Sequence, residues 1–412
     1  MSKPLSIRIS LAEAAEVETI RAALVAQGLA AALEEPFVNT MGPMLPLDVL
    51  LNARGLDPEA FFDAALADPP DAAGSCAASP SLLDTPTGKG LHVLGLLPCP
   101  LRQPLVSAFE TYLAENPCAT PLKYCLEGNA NQQLSYYGLV PHFERLEDLP
   151  DLMISPGINA FFGSAFRERF LDRGCFADAS EDAAWTDEAY QPLRDPLRQF
   201  TVLCWNVLVM VVDHTQWSGT TLPQCWGDLL APDYRNRVAI RGQKEFFCET
   251  VLLNFYRDFG MDGIRQFAES VLEGVHPAEM VKWAGVGRAG KPAVMIMPYF
   301  FARLIKRKDR VTIVWPRDGA IASPVSMLVK RDSGEELQKI ARFLAGPDVA
   351  RLCAKAFFPS HHPAARAELP EPAPLKWLGW DFIRHEDMDA CLEEVMAQFL
   401  PIYRDSRPGG RP

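Results

Sequence analysis

Apolar positions first recur with helical spacing. Leu11 to Leu33 follows a 3.6-residue period, with Ser10 placed as N-cap and Glu13 three residues later. Leu45 to Gly55 reads as a second helix stopped by glycine, and Asp57-Pro58-Glu59 opens a third. Asp68 to Pro80 is rich in Pro, Ala and Ser without any period, which marks a linker. From Leu91 the pattern changes to short apolar runs at Leu91–Leu97, Asp151–Ile154, Phe200–Val212, Arg237–Ile240, Ala293–Met297, Val311–Trp315 and Val325–Val329, each suited to a buried strand. Helical spacing over 104–116, 245–259, 261–273 and 334–345 lies between them. Such alternation predicts an α/β fold, and the length of this region favours two lobes over one sheet. The expected division is a small all-α domain over 1–68, a linker over 69–89, and two α/β lobes within 90–412.

Charge narrows the partners. A net charge of -12 disfavours nucleic acid and anionic membrane, although a local site can still hold an anion. Arg8, Glu13, Glu16 and Glu18 interrupt any secretory leader, and no apolar run is long enough to span a bilayer. The expectation is therefore a cytoplasmic protein without direct membrane insertion. Ten cysteines occur singly with no C-x-x-C, and Cys204, Cys248 and Cys353 sit in apolar runs as core residues. No P-loop, G-x-S-x-G or H-E-x-x-H occurs. Gly285-Val-Gly287-Arg-Ala-Gly290 spells G-x-G-x-x-G but precedes its strand, whereas a dinucleotide fingerprint follows one.

The segment Leu222 to Ile240 is the most specific in the chain. Trp226, Leu229, Leu230, Pro232, Tyr234, Arg237, Val238 and Ala239 resemble the W-x-D-L-L-x-P-x-Y segment of type 2 periplasmic binding proteins, the substrate-binding components of ABC transporters, in their ferric-iron-like branch. Cys225 departs from that pattern. Val207–Thr215 and Val311–Val329 resemble the family's two crossings between lobes, Trp283–Phe301 its glycine turn, strand and aromatic ligand loop, and Phe343–Leu352 a common C-terminal helix. Thr40–Leu66 is similar to a small helical domain of unknown function. The resemblance implies a two-lobed fold that closes on its ligand by hinge motion, with lobe 1 over 90–210, lobe 2 over 211–314, and a return to lobe 1 with C-terminal helices over 315–412.

Loops after strands line the cleft in such folds. Cys99 and Arg102 follow the first strand, with the thiol at a helix start where its thiolate is favoured. Ser155 and Asn159 follow the next strong strand. Gln243 and Lys244 precede a predicted helix whose N-terminus suits an anion. Tyr299, in Met297-Pro-Tyr-Phe300, stands where ferric relatives carry paired tyrosines, so one phenolate is missing. Cys125 pairs with Cys99 as a candidate for metal ligation, Tyr299 being a third candidate, and His361-His362 offer imidazoles, although paired histidines in such a loop are usually surface residues. Tyr136-Tyr137 is read as packing.

The leading reading is a solute-binding protein that takes a small anion, a metal chelate or a metabolite, with a protein partner for the N-terminal domain. No cofactor is identified beyond a bound metal ion or chelate. Two alternatives are a cofactor-metabolism enzyme with Cys99 as nucleophile, its base drawn from His92, His214, His361 or His362, and a metal or iron–sulfur handling protein using Cys99 and Cys125.

Overall fold

A computed structural model describes residues 24, 47, 51, 90–128, 136–219, 221–243 and 246–407, with the backbone alone at 243. The chain divides into two compact units, Met1–Ala78 and Ser79–Pro412. In the first, Leu24, Leu47 and Leu51 are buried in helical backbone. The remainder of the predicted helical domain and most of the linker lie outside the described residues.

The second unit is built on an eleven-stranded mixed sheet. Its strands are β1 (Val93–Leu97), β2 (Tyr124–Gly128), β3 (Leu152–Pro156), β4 (Phe200–Asp213), β5 (Val238–Gln243), β6 (Phe246–Phe247), β7 (Val271–Val275), β8 (Val294–Pro298), β9 (Val311–Val314), β10 (Ala320–Val329) and β11 (Leu375–Lys376). The main order is β2-β1-β3-β10-β4-β8-β5-β6, with β11 on β10, β7 on β5 and β9 on β4. Helices are α1 (Cys99–Glu115), α2 (Glu249–Ser270), α3 (Pro277–Trp283), α4 (Tyr299–Arg303), α5 (Glu335–Leu344), α6 (Pro347–Lys355), α7 (Trp380–His385) and α8 (Met388–Ser406).

Two strands tie the lobes together. The first part of β4 pairs antiparallel with β10, from Phe200 opposite Leu328 to Leu208 opposite Ile321. From Leu208 onward, β4 pairs with β8 as well, Leu208 opposite Pro298 and Val212 opposite Val294. Alternate β4 side chains enter different cores. Val207, Val209 and Val211 join one, while Leu208, Met210 and Val212 join another with Trp226, Phe255 and Phe267. Burial on both faces explains why this strand reads as an unbroken apolar run.

Most predicted elements are present, and the differences have local causes. The run predicted as helix 245–259 begins only at Glu249, because Gln243 pairs with Phe246 in a β-hairpin. Gly242 is required there: a Cβ would lie 2.9 Å from the Phe246 carbonyl oxygen and 3.0 Å from the Gly274 Cα. The predicted helix 261–273 ends at Ser270, since Val271 onward joins β5 as the parallel strand β7. Gly260, at φ 62°, breaks α2 near its middle. The strand β2 lacked an apolar run long enough to be seen. Its place is set by parallel pairing with β1, Leu94 opposite Cys125.

The C-terminal helix α8 runs from one lobe to the other. Its first turn puts Asp389 against Gly163, where a Cβ would meet the carboxylate. Further along, Val395, Phe399 and Tyr403 are buried in the lobe 2 core, and both rings pack edge-on against Phe247 at 4.9 and 4.8 Å.

His361 departs from the expectation of a surface pair. Its segment runs beside β4: Trp205 N–H donates to the Pro359 carbonyl at 2.8 Å, and Ser360 Oγ to the Leu203 carbonyl at 2.9 Å. The His361 ring is buried and stacked on Trp185 at 3.7 Å, and neither ring nitrogen has a hydrogen-bond partner among the described residues. Burial, with His362 alongside, lowers its pKa to about 3 from 6.5. The unfolded chain thus takes up a proton between those values that the folded chain refuses, so stability falls as pH drops through this window. Replacing His361 with Phe keeps the stacked ring and flattens this acid-side loss, as followed by denaturant unfolding across the same range.

Candidate functional site

A cavity of about 270 Å³ lies where the two lobes meet. Lobe 1 supplies the turn Pro156–Ala160 after β3. The crossing strands supply Asn206, Leu208 and Ser323. Lobe 2 supplies Arg241 from β5, Pro298 at the end of β8, and Cys248, Glu249 and Thr250 at the start of α2. Met388, Asp389 and Leu392 from α8 complete one side.

The turn after β3 is shaped by its own hydrogen bonds. Gly157 adopts φ 79°, which an L side chain would strain, and its N–H donates to the Pro324 carbonyl at 2.7 Å. Asn159 Oδ1 accepts from Phe161 N–H at 3.0 Å, capping a short 3-10 turn, while its Nδ2 donates to Ser155 Oγ at 3.1 Å. Asn159 therefore lines the cavity but spends its side chain on the turn. Ser155 is buried beneath it, opposite Ser326 on β10.

The polar groups that face the cavity differ in character. At α2, Cys248 is the N-cap, so the first N–H groups of a long helix open toward the site, where they favour negative charge. Arg241 stands on β5, and the Cys248 N–H donates to its carbonyl at 2.9 Å. Burial pushes the Glu249 carboxyl up to about 7; Arg241 pulls it down and Asp389 pushes it further up. Asp389 is itself raised by burial, with Asp387 and Glu393 adding. Asn206 Oδ1 is buried without a hydrogen-bond partner among the described residues. Thr250 Oγ1, beside Glu249 on α2, lies 3.4 Å from Ser323 Oγ, on the strand position opposite Asn206. The site thus offers a cation, a helix N-terminus and a set of acceptors in one small volume.

The other predicted residues fall elsewhere. Cys99 is exposed at the first turn of α1 and Arg102 is exposed one turn on, and neither lines the cavity. Cys125 is buried, its Sγ 3.5 Å from Glu127 Oε1, level with Leu94 in β1 and so well short of the strand end that carries Cys99. His92 precedes β1 and accepts from Lys123 N–H, at the opposite end of the strand from Cys99, while His214 contacts Thr312. Tyr299 packs edge-on against Trp315 at 5.4 Å and Phe357 at 6.0 Å within the core, and only Pro298 before it reaches the cavity. Among the described residues, no three His, Cys, Asp or Glu side chains are grouped to hold a metal ion. Gln243 ends β5 and does not open a helix; its side chain and all of Lys244 lie outside the described residues. Tyr137, read as packing, lines the cavity and hydrogen-bonds Ser155. Arg241, Glu249 and Asn206 carried no motif. The usable signal was position, since Arg241 directly follows the recognised Leu222–Ile240 segment on the same strand.

The family profile of bacterial extracellular solute-binding proteins matches residues 147–386. The chain belongs to that family. No curated protein matches the chain. Among solved structures, the apo ferric ion-binding protein A of Pasteurella haemolytica is 11% identical, covering 78% of this chain and 99% of its own, at a TM-score of 0.54. An ABC transporter structure from Clostridium perfringens is 14% identical over 76% of this chain and 99% of its own, at 0.54. The periplasmic binding protein AfuA from Actinobacillus pleuropneumoniae, with fructose-6-phosphate bound, is 12% identical over 76% and 98%, also at 0.54. At such identities these neighbours show the fold alone: a two-lobed type 2 binding-protein architecture. The family is described as extracellular, which does not support the cytoplasmic placement read from the N-terminus. No described helix is long and apolar enough to cross a membrane. The matched region stops before α8, so Met388, Asp389 and Leu392 are cavity residues from outside it.

Glu249 gives the site a pH signature. Its carboxyl has an ordinary value of 4.5, so between there and about 7 the folded chain holds a proton that the unfolded chain releases. Stability then falls as pH rises through that window, the reverse of the His361 effect. Glu249→Gln removes this decline in denaturant unfolding measured over the same range.

Proposed function

We propose that this solute-binding protein takes a small organic anion in the cavity between its lobes, its charged group held by Arg241 and the N-terminus of α2. Hydroxyl or amino groups on the same ligand donate to Asn206, Glu249 and Asp389. The observation that carries this reading is the cavity itself, in which one cation and a helix start face acceptors drawn from both lobes and from the strands that join them. Closure of the lobes about β4 and β10 would exclude water and strengthen each of those contacts.

A bare ferric ion finds less support, because Tyr299 packs in the core and, among the described residues, the cavity is lined by two carboxylates, Glu249 and Asp389. A chelated metal whose organic partner supplies the oxygens remains within the same class of ligand. The neighbours with ferric and sugar-phosphate names illustrate how one scaffold serves different ligands. In this reading the bound protein delivers its ligand to an ABC-type transporter, the class to which the Clostridium neighbour belongs.

Native mass spectrometry of the purified protein, followed by a thermal-shift panel of organic phosphates, carboxylates and polyols, identifies the ligand. Arg241→Ala is expected to weaken it by roughly 10- to 100-fold, the loss of one charge-assisted hydrogen-bonding partner. A ligand held equally well by Arg241→Ala would place the site elsewhere.

A further inference from the structure

A second cavity, of about 810 Å³, opens at the other end of lobe 2. Arg235, Arg237, Lys291 and Arg407 line it, with Glu273 as the acidic residue among the liners. Four cations around one cavity repel one another, and they do so on a chain whose net charge is -12. Lys291 is offset by Glu273 at 3.3 Å and Arg235 by Glu269 at 2.7 Å. Neither Arg237 nor Arg407 has a carboxylate partner among the described residues.

Aromatic faces hold three of these cations in place. Arg237 lies over the Trp217 ring at 5.8 Å, Arg407 over Tyr403 at 4.9 Å, and Lys291 over Trp283 at 3.6 Å. Trp217 is itself stacked on Tyr234 at 4.8 Å, which fixes the platform beneath Arg237. A cation on an aromatic face is positioned without using up its N–H donors. The donors of Arg237 and Arg407 therefore remain available for a planar or tetrahedral oxyanion, which guanidinium groups grip with paired hydrogen bonds.

We propose that this cavity is a second ligand site, for a small multivalent oxyanion of the phosphate type, including phosphate esters. Two positive charges without carboxylate partners match a dianion, and the volume leaves room for an organic group attached to it. The site is separate from the cleft. Arg237 immediately precedes β5 and Arg241 lies four residues on, so the two sites occupy opposite ends of one strand.

Isothermal titration calorimetry of the full chain with inorganic pyrophosphate, at constant ionic strength, tests this. Saturable binding is expected, weakened at least tenfold by Arg407→Ala and by Arg237→Gln and unchanged by Arg241→Ala. Arg407 is exposed in the last residue described, so its replacement leaves the fold intact even if Arg237→Gln disturbs the strand start. Absence of saturable heat at millimolar pyrophosphate overturns the proposal, as does binding that survives both substitutions. Binding lost in Arg241→Ala alone also overturns it, since pyrophosphate would then be a ligand of the cleft.

Discussion

The antiparallel pairing of β4 with β10 is the constraint on which the rest of the molecule depends. The two strands lie at the centre of the sheet, with β3 beyond β10 on one side and β8 beyond β4 on the other. Both are buried along nearly their whole length. Where β4 gains β8 as a neighbour, at Leu208, the sheet passes from one lobe to the other, and the cavity lies at that transition. Asn206, Leu208 and Ser323 thus belong to both the frame and the site. A polar atom placed there, such as the Asn206 side-chain Oδ1, is carried by a strand paired on both sides while keeping its hydrogen-bonding capacity for something else.

Electrostatics is distributed unevenly around this frame. The cleft sets Arg241 among carboxylates whose burial favours their neutral forms, so its field depends on pH. The cavity at the start of β5 is lined mainly by guanidinium and ammonium groups, three of them set against aromatic rings. An acidic chain has therefore gathered positive charge at two places on lobe 2, one balanced by acids and one steadied by aromatic rings.

Much of the frame was legible in the chain and much of the site was not, for different physical reasons. Strands buried on both faces, such as β4 and β10, leave continuous apolar runs, and the Leu222–Ile240 segment carries enough specific residues to identify the fold. The turn after β3 was found because it follows a strong strand whose loop lines the cleft in the resembled family, yet Asn159 turned out to serve the turn. Cys99 was singled out as a thiol at a helix start after the first strand, and Tyr299 by its place in the resembled family's ligand loop, yet neither lines the cavity. Reactivity is a property of a side chain, whereas membership of a site depends on where strand register and packing deliver it. Arg241 and Glu249 look ordinary in sequence and become notable only once β5, the β6 hairpin and the start of α2 have folded together.

The path of α8 bears on how the protein is made. Its first turn closes one wall of the cleft beside lobe 1, and its last turns bury aromatic rings in lobe 2, so the cleft is incomplete until the final helix is present. β10 likewise enters the middle of the sheet only after nearly all earlier strands have been synthesised. Domains that fold on the ribosome usually do so from the N-terminus onward. Here β10 and α8 both follow most of the other strands in chain order, so the cleft can be completed only once these two elements have joined the segments made before them.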